Sequence, residues 1–311
     1  IEARVPPALK FPDYRFDPEF IRYEIRLKLD LSSDEVGLAA EKLQLLSPDA
    51  APQDVLLRSN RLTRFVAETG HNPKAQFRFD LGPQYPGLSN MPKDEVQFPV
   101  ANWLKDLLRE GVQLVALDSQ YLRAASAPGQ GKPRVFDGLN LARIVSQVSA
   151  KSPHAFEAWV RHVQTALPDL ETVKAHLRPE DKHRWLAVRY RNGLEVPAWM
   201  LSDGTLRILA LTLLAYVPDF RGIYLIEEPE IGVHPTALET IVQSLSSIYD
   251  GQVLATSHSP LLLGISEPAS LLCFKKTDDG TVIVPGDQHP LLRDWRAGAN
   301  LSDLFAAGVL G

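Results

Sequence analysis

The sequence predicts an α/β fold, with a parallel or mixed sheet flanked by helices. Residues 223–226 (IYLI) and 253–255 (VLA) are apolar runs too short to be helices, each ending in polar residues. Buried parallel strands read as brief continuous apolar segments of this kind. From residue 201 onward the pattern runs helix, strand, helix, strand, which is the spacing of βαβ units.

The earlier elements follow in order. Residues up to about 18 are rich in proline and charge and read as an entry loop. Phe20–Asp30 (FIRYEIRLKLD) alternates apolar and polar residues as a half-buried strand does. Residues 34–46 fit helical and strand spacing alike, and both readings stand. QFRFDL at 76–81 alternates again, and 100–108 followed by 112–117 predicts a helix leading into a strand. AASAPGQGKPRVF at 124–136 is a Gly/Pro/Ser-rich loop. Residues 137–178 predict a helical insertion, with Phe156, Trp159, Val160 and Val163 at spacings of three and four. A hairpin turning at Asn192-Gly193 follows. The expected division is 1–123, a strand-rich lobe; 124–200, loop, helical insertion and hairpin; and 201–311, a C-terminal lobe.

At 311 residues and 45% hydrophobic, the chain can fill a sizeable core. A net charge of −5 gives no global reason to expect a bare nucleic-acid binder. Lys105, Arg109, Arg184, Arg189 and Arg191 could share a basic face, or be scattered solvated charge. The single Cys273, in the apolar run LLCF, excludes an intrachain disulfide and is expected to be buried. The longest apolar run, 208–217, is about half of the roughly 20 residues needed to span a bilayer. The opening IEARVPP lacks an apolar leader core, so a cytoplasmic protein is expected.

Three segments carry chemistry. In LSDGTLRILALTLLAY (201–216), Ser202 and Asp203 are N-cap residue types, and Gly204 permits close backbone approach. A helix start of this kind binds anions, although an ordinary capped core helix has the same sequence signature. In GIYLIEEPEIGVHP (222–235), the apolar strand ends in Glu227-Glu228. Ligands of open α/β sheets sit beyond the carboxyl ends of strands, and adjacent strand residues point to opposite sides. One acid could then hold Mg²⁺ while the other orients a water; a solvated acidic turn is the plainer reading. In QVLATSHSP (252–260), His258 lies just past the next strand, where an imidazole could meet a phosphate or simply be a satisfied polar residue.

Together the three resemble the motifs of ATP-binding-cassette ATPases: LSDGT the signature, IYLIEEPE a Walker B strand, ATSHSP the switch histidine. The Glu-Glu-Pro-Glu variant and GVHP are similar to the soluble AAA/ABC-type ATPases related to RecF and the OLD proteins, which act in DNA repair or anti-phage defence. YLRAASAPG (121–129), with Ala124 where proline is usual, DGLNLA (137–142) and the closing LSDLFAAGVLG add support, so the likeness runs over roughly 112–311. The resemblance implies an ABC-ATPase-like (P-loop NTPase) fold using ATP and Mg²⁺. It implies Glu227 on the metal through its water shell, Glu228 polarising the hydrolytic water and His258 sensing the γ-phosphate. Ser202, Asp203, Gly204 and Thr205 would clasp the γ-phosphate held by the opposite protomer of a head-to-tail dimer. A nuclease or other effector subunit and DNA are the further partners it suggests, and no membrane.

No phosphate-binding loop is found. Such a loop needs Gly-x-x-x-x-Gly-Lys-Ser/Thr, and the one Gly-Lys here, Gly131-Lys132, has Ser126 in place of the first glycine and is followed by Pro133. Gln76 and Gln97 are candidates for a glutamine loop by location only. Either the chain is part of a longer polypeptide whose earlier segment carries the loop, or it is a catalytically inactive cassette scaffold. Retention of Glu228 and His258 favours the former. The expected function is an ATP-hydrolysing dimeric switch, with the inactive scaffold as alternative. A transporter cassette is disfavoured because LSDGT stands where LSGGQ would.

Overall fold

A computed structural model describes residues 1–9, 17–30, 34–59, 61–69, 76–129, 135–278 and 280–290. Two compact units divide after Glu110.

The first unit holds an antiparallel sheet in sequential order: β1 (Glu2–Arg4), β2 (Phe20–Asp30), β3 (Glu35–Ser47), β4 (Ala50–Ser59), β5 (Leu62–Val66) and β6 (Gln76–Asp80). The ambiguous stretch 34–46 is thus strand: it pairs with β2 along its length and alternates buried Leu43 and Leu45 with less buried neighbours. Its apolar face packs with Phe98, Val100 and Leu104 at α1 (Pro99–Asp106). The buried Glu68 carboxylate accepts the Val100 and Ala101 N–H groups at 2.9 and 2.7 Å, satisfying donors that a helix start leaves free.

The second unit contains a parallel sheet ordered β13-β12-β7-β8: β7 (Val112–Val115), β8 (Val135–Phe136), β12 (Ile223–Glu227) and β13 (Gln252–Thr256). Around it lie α2 (Ser119–Arg123), α3 (Leu141–Lys151), α4 (Pro153–Ala166), α5 (Asp203–Leu213), α6 (Pro235–Ser246) and α7 (Pro260–Gly264). The apolar run of α5 is core, with every residue from Ile208 to Leu213 buried. It packs with Trp159, Val160 and Val163 of α4 and with Tyr224 and Ile226 of β12. This is a mixed α/β fold with a helix-flanked parallel sheet, as the sequence predicts.

Four local expectations need correction. The insertion is not helical throughout: 170–177 is a strand, β9 (Leu170–Leu177), paired with β10 (Arg184–Tyr190), which pairs in turn with β11 (Glu195–Pro197). Leu170 and Val173 mimic a helical spacing, but pairing with β10 satisfies the backbone and decides the outcome. The 253–255 run is not buried, because among the described residues β13 is an edge strand, and Leu254 is 43% exposed. The 223–226 run is covered mainly on the Tyr224/Ile226 side, with Ile223 and Leu225 intermediate. Cys273 is half-buried, since LLCF runs into β14 (Leu272–Thr277), which among the described residues pairs only with β15 (Gly280–Pro285) and exposes Leu272 and Phe274. The hairpin turn itself is as expected, with Gly193 at φ 85° and Tyr190 N–H donating to Leu194 O at 2.8 Å.

The closing LSDLFAAGVLG and the Gly131-Lys132-Pro133 tripeptide lie outside the described residues. Among the described residues no helix is long and apolar enough to cross a membrane.

Candidate functional site

Parallel pairing brings the carboxyl ends of β7, β8, β12 and β13 to one edge. Glu227 is the last residue of β12 and stands opposite Thr256, the last of β13. The Glu228 N–H then donates to Thr256 O at 3.0 Å, so the two loops leave the sheet at the same level. His258 follows two residues beyond that carbonyl and is exposed.

Glu228 is not a further strand residue. Its φ is 42°, in the left-handed region that side chains with a Cβ seldom occupy. The expectation that the two acids separate by strand alternation therefore fails in its premise; the backbone turn after Glu227 separates them instead. The Glu228 carbonyl accepts the Ile231 N–H at 3.0 Å, which closes the turn. Across it, the Ser257 hydroxyl donates to Glu230 Oε1 at 2.6 Å, while Glu230 Oε2 is buried with no hydrogen-bond partner among the described residues. Ser257 Oγ also accepts the Ser259 N–H, and Ser259 caps α7. His234 caps α6, accepting from the Thr236 N–H.

The Ser202 turn is built as its sequence suggests. Ser202 is the N-cap of α5, its Oγ accepting the Thr205 N–H at 3.1 Å. Asp203 sits in the first turn, where a negative charge suits the helix dipole. Its carboxylate is ion-paired with Arg123 and accepts the Ser119 hydroxyl at 2.9 Å. These partners hold the Asp203 carboxyl below the ordinary carboxylate range, the Arg123 bond contributing most. Arg123 also donates to Leu201 O and Ser119 O, both at 3.0 Å. A Cβ on Gly204 would lie 3.0 Å from Gly232 O, so this glycine admits the acidic loop's own backbone. Arg207 packs against Gly232 and donates to Leu117 O at 3.3 Å.

Sequence reasoning missed Arg123, Arg207 and Glu230. Arg123 stands in the YLRAAS stretch and Glu230 in the Glu-Glu-Pro-Glu variant, both noted for their likeness alone. In DGLNLA, Gly138 has φ 104°, and a Cβ there would strike Leu122 Cδ2 at 2.6 Å. Gln97 is tied to Asp94 through its backbone N–H and, at 2.6 Å, its side-chain amide; nothing is described of the Gln76 side chain. Of the five basic residues, Lys105 donates to Met91 O and Arg191 to Pro168 O. Arg109 pairs with Asp106 and Glu110, and Arg189 with Glu171, leaving only Arg184 uncommitted among the described side chains.

Among the described residues no group of three or more His, Cys, Asp or Glu side chains could hold a metal ion unaided. Glu227, alone and exposed at the strand tip, suits a cation that takes one protein carboxylate and completes its shell with water and phosphate oxygens, as Mg²⁺ does.

The chain is thus an α/β domain whose parallel sheet carries acids and an imidazole beyond neighbouring strand ends, the place where ligands of open α/β sheets bind. The chain belongs to the family described as "AAA domain, putative AbiEii toxin, Type IV TA system", whose model matches residues 3–264. It is 27% identical over 157 residues to the "Retron Vc95 probable ATPase" of Vibrio cholerae serotype O1 biovar El Tor. That match covers 46% of this chain and 29% of the relative, so the chain spans less than a third of the relative's length. Among solved structures it is similar to the Smc head domain bound to the C-terminal domain of ScpA from Pyrococcus furiosus, at 10% identity over 83% of this chain and 79% of that one, TM-score 0.41. The SMC head domain from Thermotoga maritima matches at 8% identity over 79% and 74%, TM-score 0.35.

Proposed function

We propose that this chain supplies the hydrolytic carboxylate, the phosphate-sensing histidine and the trans-acting helix start of an ATP-hydrolysing dimeric switch. The observation that carries the reading is the pairing at the sheet edge: Glu228 N–H bound to Thr256 O, with Glu228 held at φ 42°. A backbone conformation of this sort costs free energy and is tolerated where the surrounding structure holds it, often at functional sites. In this reading Glu228 accepts a hydrogen bond from the attacking water and His258 hydrogen-bonds the γ-phosphate. Glu227 acts through the water shell of Mg²⁺, which when bound offsets the charge of the phosphates. Ser202, Gly204 and Thr205 present the α5 start to the nucleotide of a second protomer, and Asp203 positions that turn through Arg123.

Family membership and the relative described as a probable ATPase support an ATPase; a place in anti-phage defence with an effector subunit, like a role in DNA repair, rests on the sequence resemblance. The functional division into 1–123, 124–200 and 201–311 is part of the same proposal. The test is Glu228→Gln in the intact protein. ATP turnover is expected to fall at least a hundredfold while ATP binding persists and the dimer becomes longer-lived in size-exclusion chromatography with ATP. Unchanged phosphate release would overturn the assignment, and wild-type protein with no turnover would favour the inactive scaffold.

A further inference from the structure

Helix α3 has two stripes. Leu141, Ala142, Val145 and Val148 face the core, while Arg143, Gln147 and Lys151 recur every fourth residue along the outer side. That outer side forms one wall of a cleft of about 550 Å³. Lys182 and Arg184, from the β9–β10 turn and the start of β10, line the other wall. This wall is fixed: Ser126 and Arg184 exchange backbone hydrogen bonds at 2.7 and 3.0 Å, and the buried Ser126 hydroxyl donates to Leu139 O at 2.7 Å.

Among the described residues four cations line the cleft and none of the lining residues is a carboxylate, in a chain whose net charge is −5. None of the four forms an ion pair with a described residue. Asp181, the acid beside Lys182, is already taken: Arg178 donates to it at 2.8 Å and the His183 N–H at 3.1 Å. The Arg178 bond above all pulls its carboxyl down to about 2.

Like charges gathered around one cleft repel each other, and an anion between them turns repulsion into attraction. Shape narrows the choice. From Arg143 to Lys151 is about 12 Å at 1.5 Å per residue, too long for one phosphate and suited to several in a row. We infer that this cleft binds consecutive phosphates of a nucleic-acid strand. Recognition would be of the backbone, without base sequence. This stands apart from the nucleotide site and does not depend on hydrolysis.

The test is fluorescence anisotropy of a labelled twelve-nucleotide oligothymidylate with the protein, between 50 and 300 mM KCl. Single strands lose affinity with a log–log slope of about −0.7 per phosphate contact, so four cations predict a slope of about −2.8. The double variant Arg143→Gln, Lys151→Gln should weaken binding at least tenfold at 50 mM salt and halve the slope. Ser146→Glu, which adds a carboxylate to the cleft without deleting a cation, should weaken binding as well, and Arg189→Gln should leave it unchanged. Absent binding, or affinity and slope indifferent to the cleft variants, would overturn the inference. Displacement of the oligonucleotide by inorganic tripolyphosphate at equal phosphate concentration would do the same, assigning the cleft to a compact polyanion.

Discussion

The left-handed backbone at Glu228 makes a prediction that separates conformation from chemistry. Residues with a Cβ pay about 1–2 kcal/mol in this region, and glycine does not. Glycine instead loses about 0.5–1 kcal/mol through the greater freedom of its unfolded chain. Glu228→Ala keeps the strain and removes the carboxylate; Glu228→Gly removes both. At φ 42° the glycine variant should therefore be the more stable of the two by about 0.5–1 kcal/mol. In a unit of this size 1 kcal/mol moves the melting temperature by roughly 2–4 °C, so a gap of about 1–4 °C is expected in thermal unfolding followed by circular dichroism. Both variants should lose ATP turnover in the intact protein. A glycine variant melting at or below the alanine variant would show that the turn is not strained, and would remove the argument that Glu228 is held in place at a cost.

Three further outcomes are expected. Gly222→Ala would drive a Cβ to 2.1 Å from the Gly111 backbone oxygen at the β7–β12 junction, so the urea midpoint should fall by the equivalent of about 3 kcal/mol. Thr212→Val would strip the buried Trp159 Nε1–H of its acceptor at 3.0 Å, costing about 1–3 kcal/mol in urea denaturation, while Thr212→Ser should restore most of it. Arg123 and Ser119 lower the folded-state pKa of Asp203, so its contribution to stability is present above the unfolded value of about 3.9 and is lost as pH falls through the lower folded value. Asp203→Asn should flatten the stability curve in that acid window, read from denaturant titrations between pH 2.5 and 5, and leave the curve above pH 6 unchanged in slope.

What the sequence disclosed tracks how local each signal is. The strand at Phe20–Asp30 was legible because its alternation reflects one covered face near Ile21 and Tyr23. Ser202 was legible as a cap because its acceptor role involves only Thr205, three residues on. Pairing partners are not local: β9 carries a helix-like spacing and is a strand only because β10 lies beside it. Exposure is not local either, for β13 has the composition of a buried strand and lies at a sheet edge. The basic cleft shows the same limit, since its cations come from residues 143–151 and 182–184 and meet only through the fold. Of the basic residues singled out from sequence, only Arg184 belongs to it.

The contacts around α5 also narrow which motif residues have side-chain chemistry to spare. Gly204 admits Gly232 O, and Gly232 is packed by Arg207, which in turn reaches Leu117 O just past β7. These glycines are accounted for by packing before any ligand is considered. The Asp203 carboxylate is bound by Arg123 and Ser119, and Glu230 Oε1 by Ser257. Ser202 Oγ accepts the Thr205 N–H, yet a hydroxyl that accepts can still donate its own proton. Glu227 and His258 point into solvent from the tips of paired strands, and Glu228 stands at the turn between them. In the proposed dimer the Ser202 hydroxyl and the α5 start are donors to the partner protomer's nucleotide, so a phosphate approaching this chain's own strand ends would meet Glu227, Glu228 and His258. The two carboxylates would repel it unless a cation lay between, so the arrangement makes metal and phosphate interdependent. Phosphate binding at this edge in the intact protein should accordingly require Mg²⁺, and substituting Glu227 with glutamine should relax that requirement.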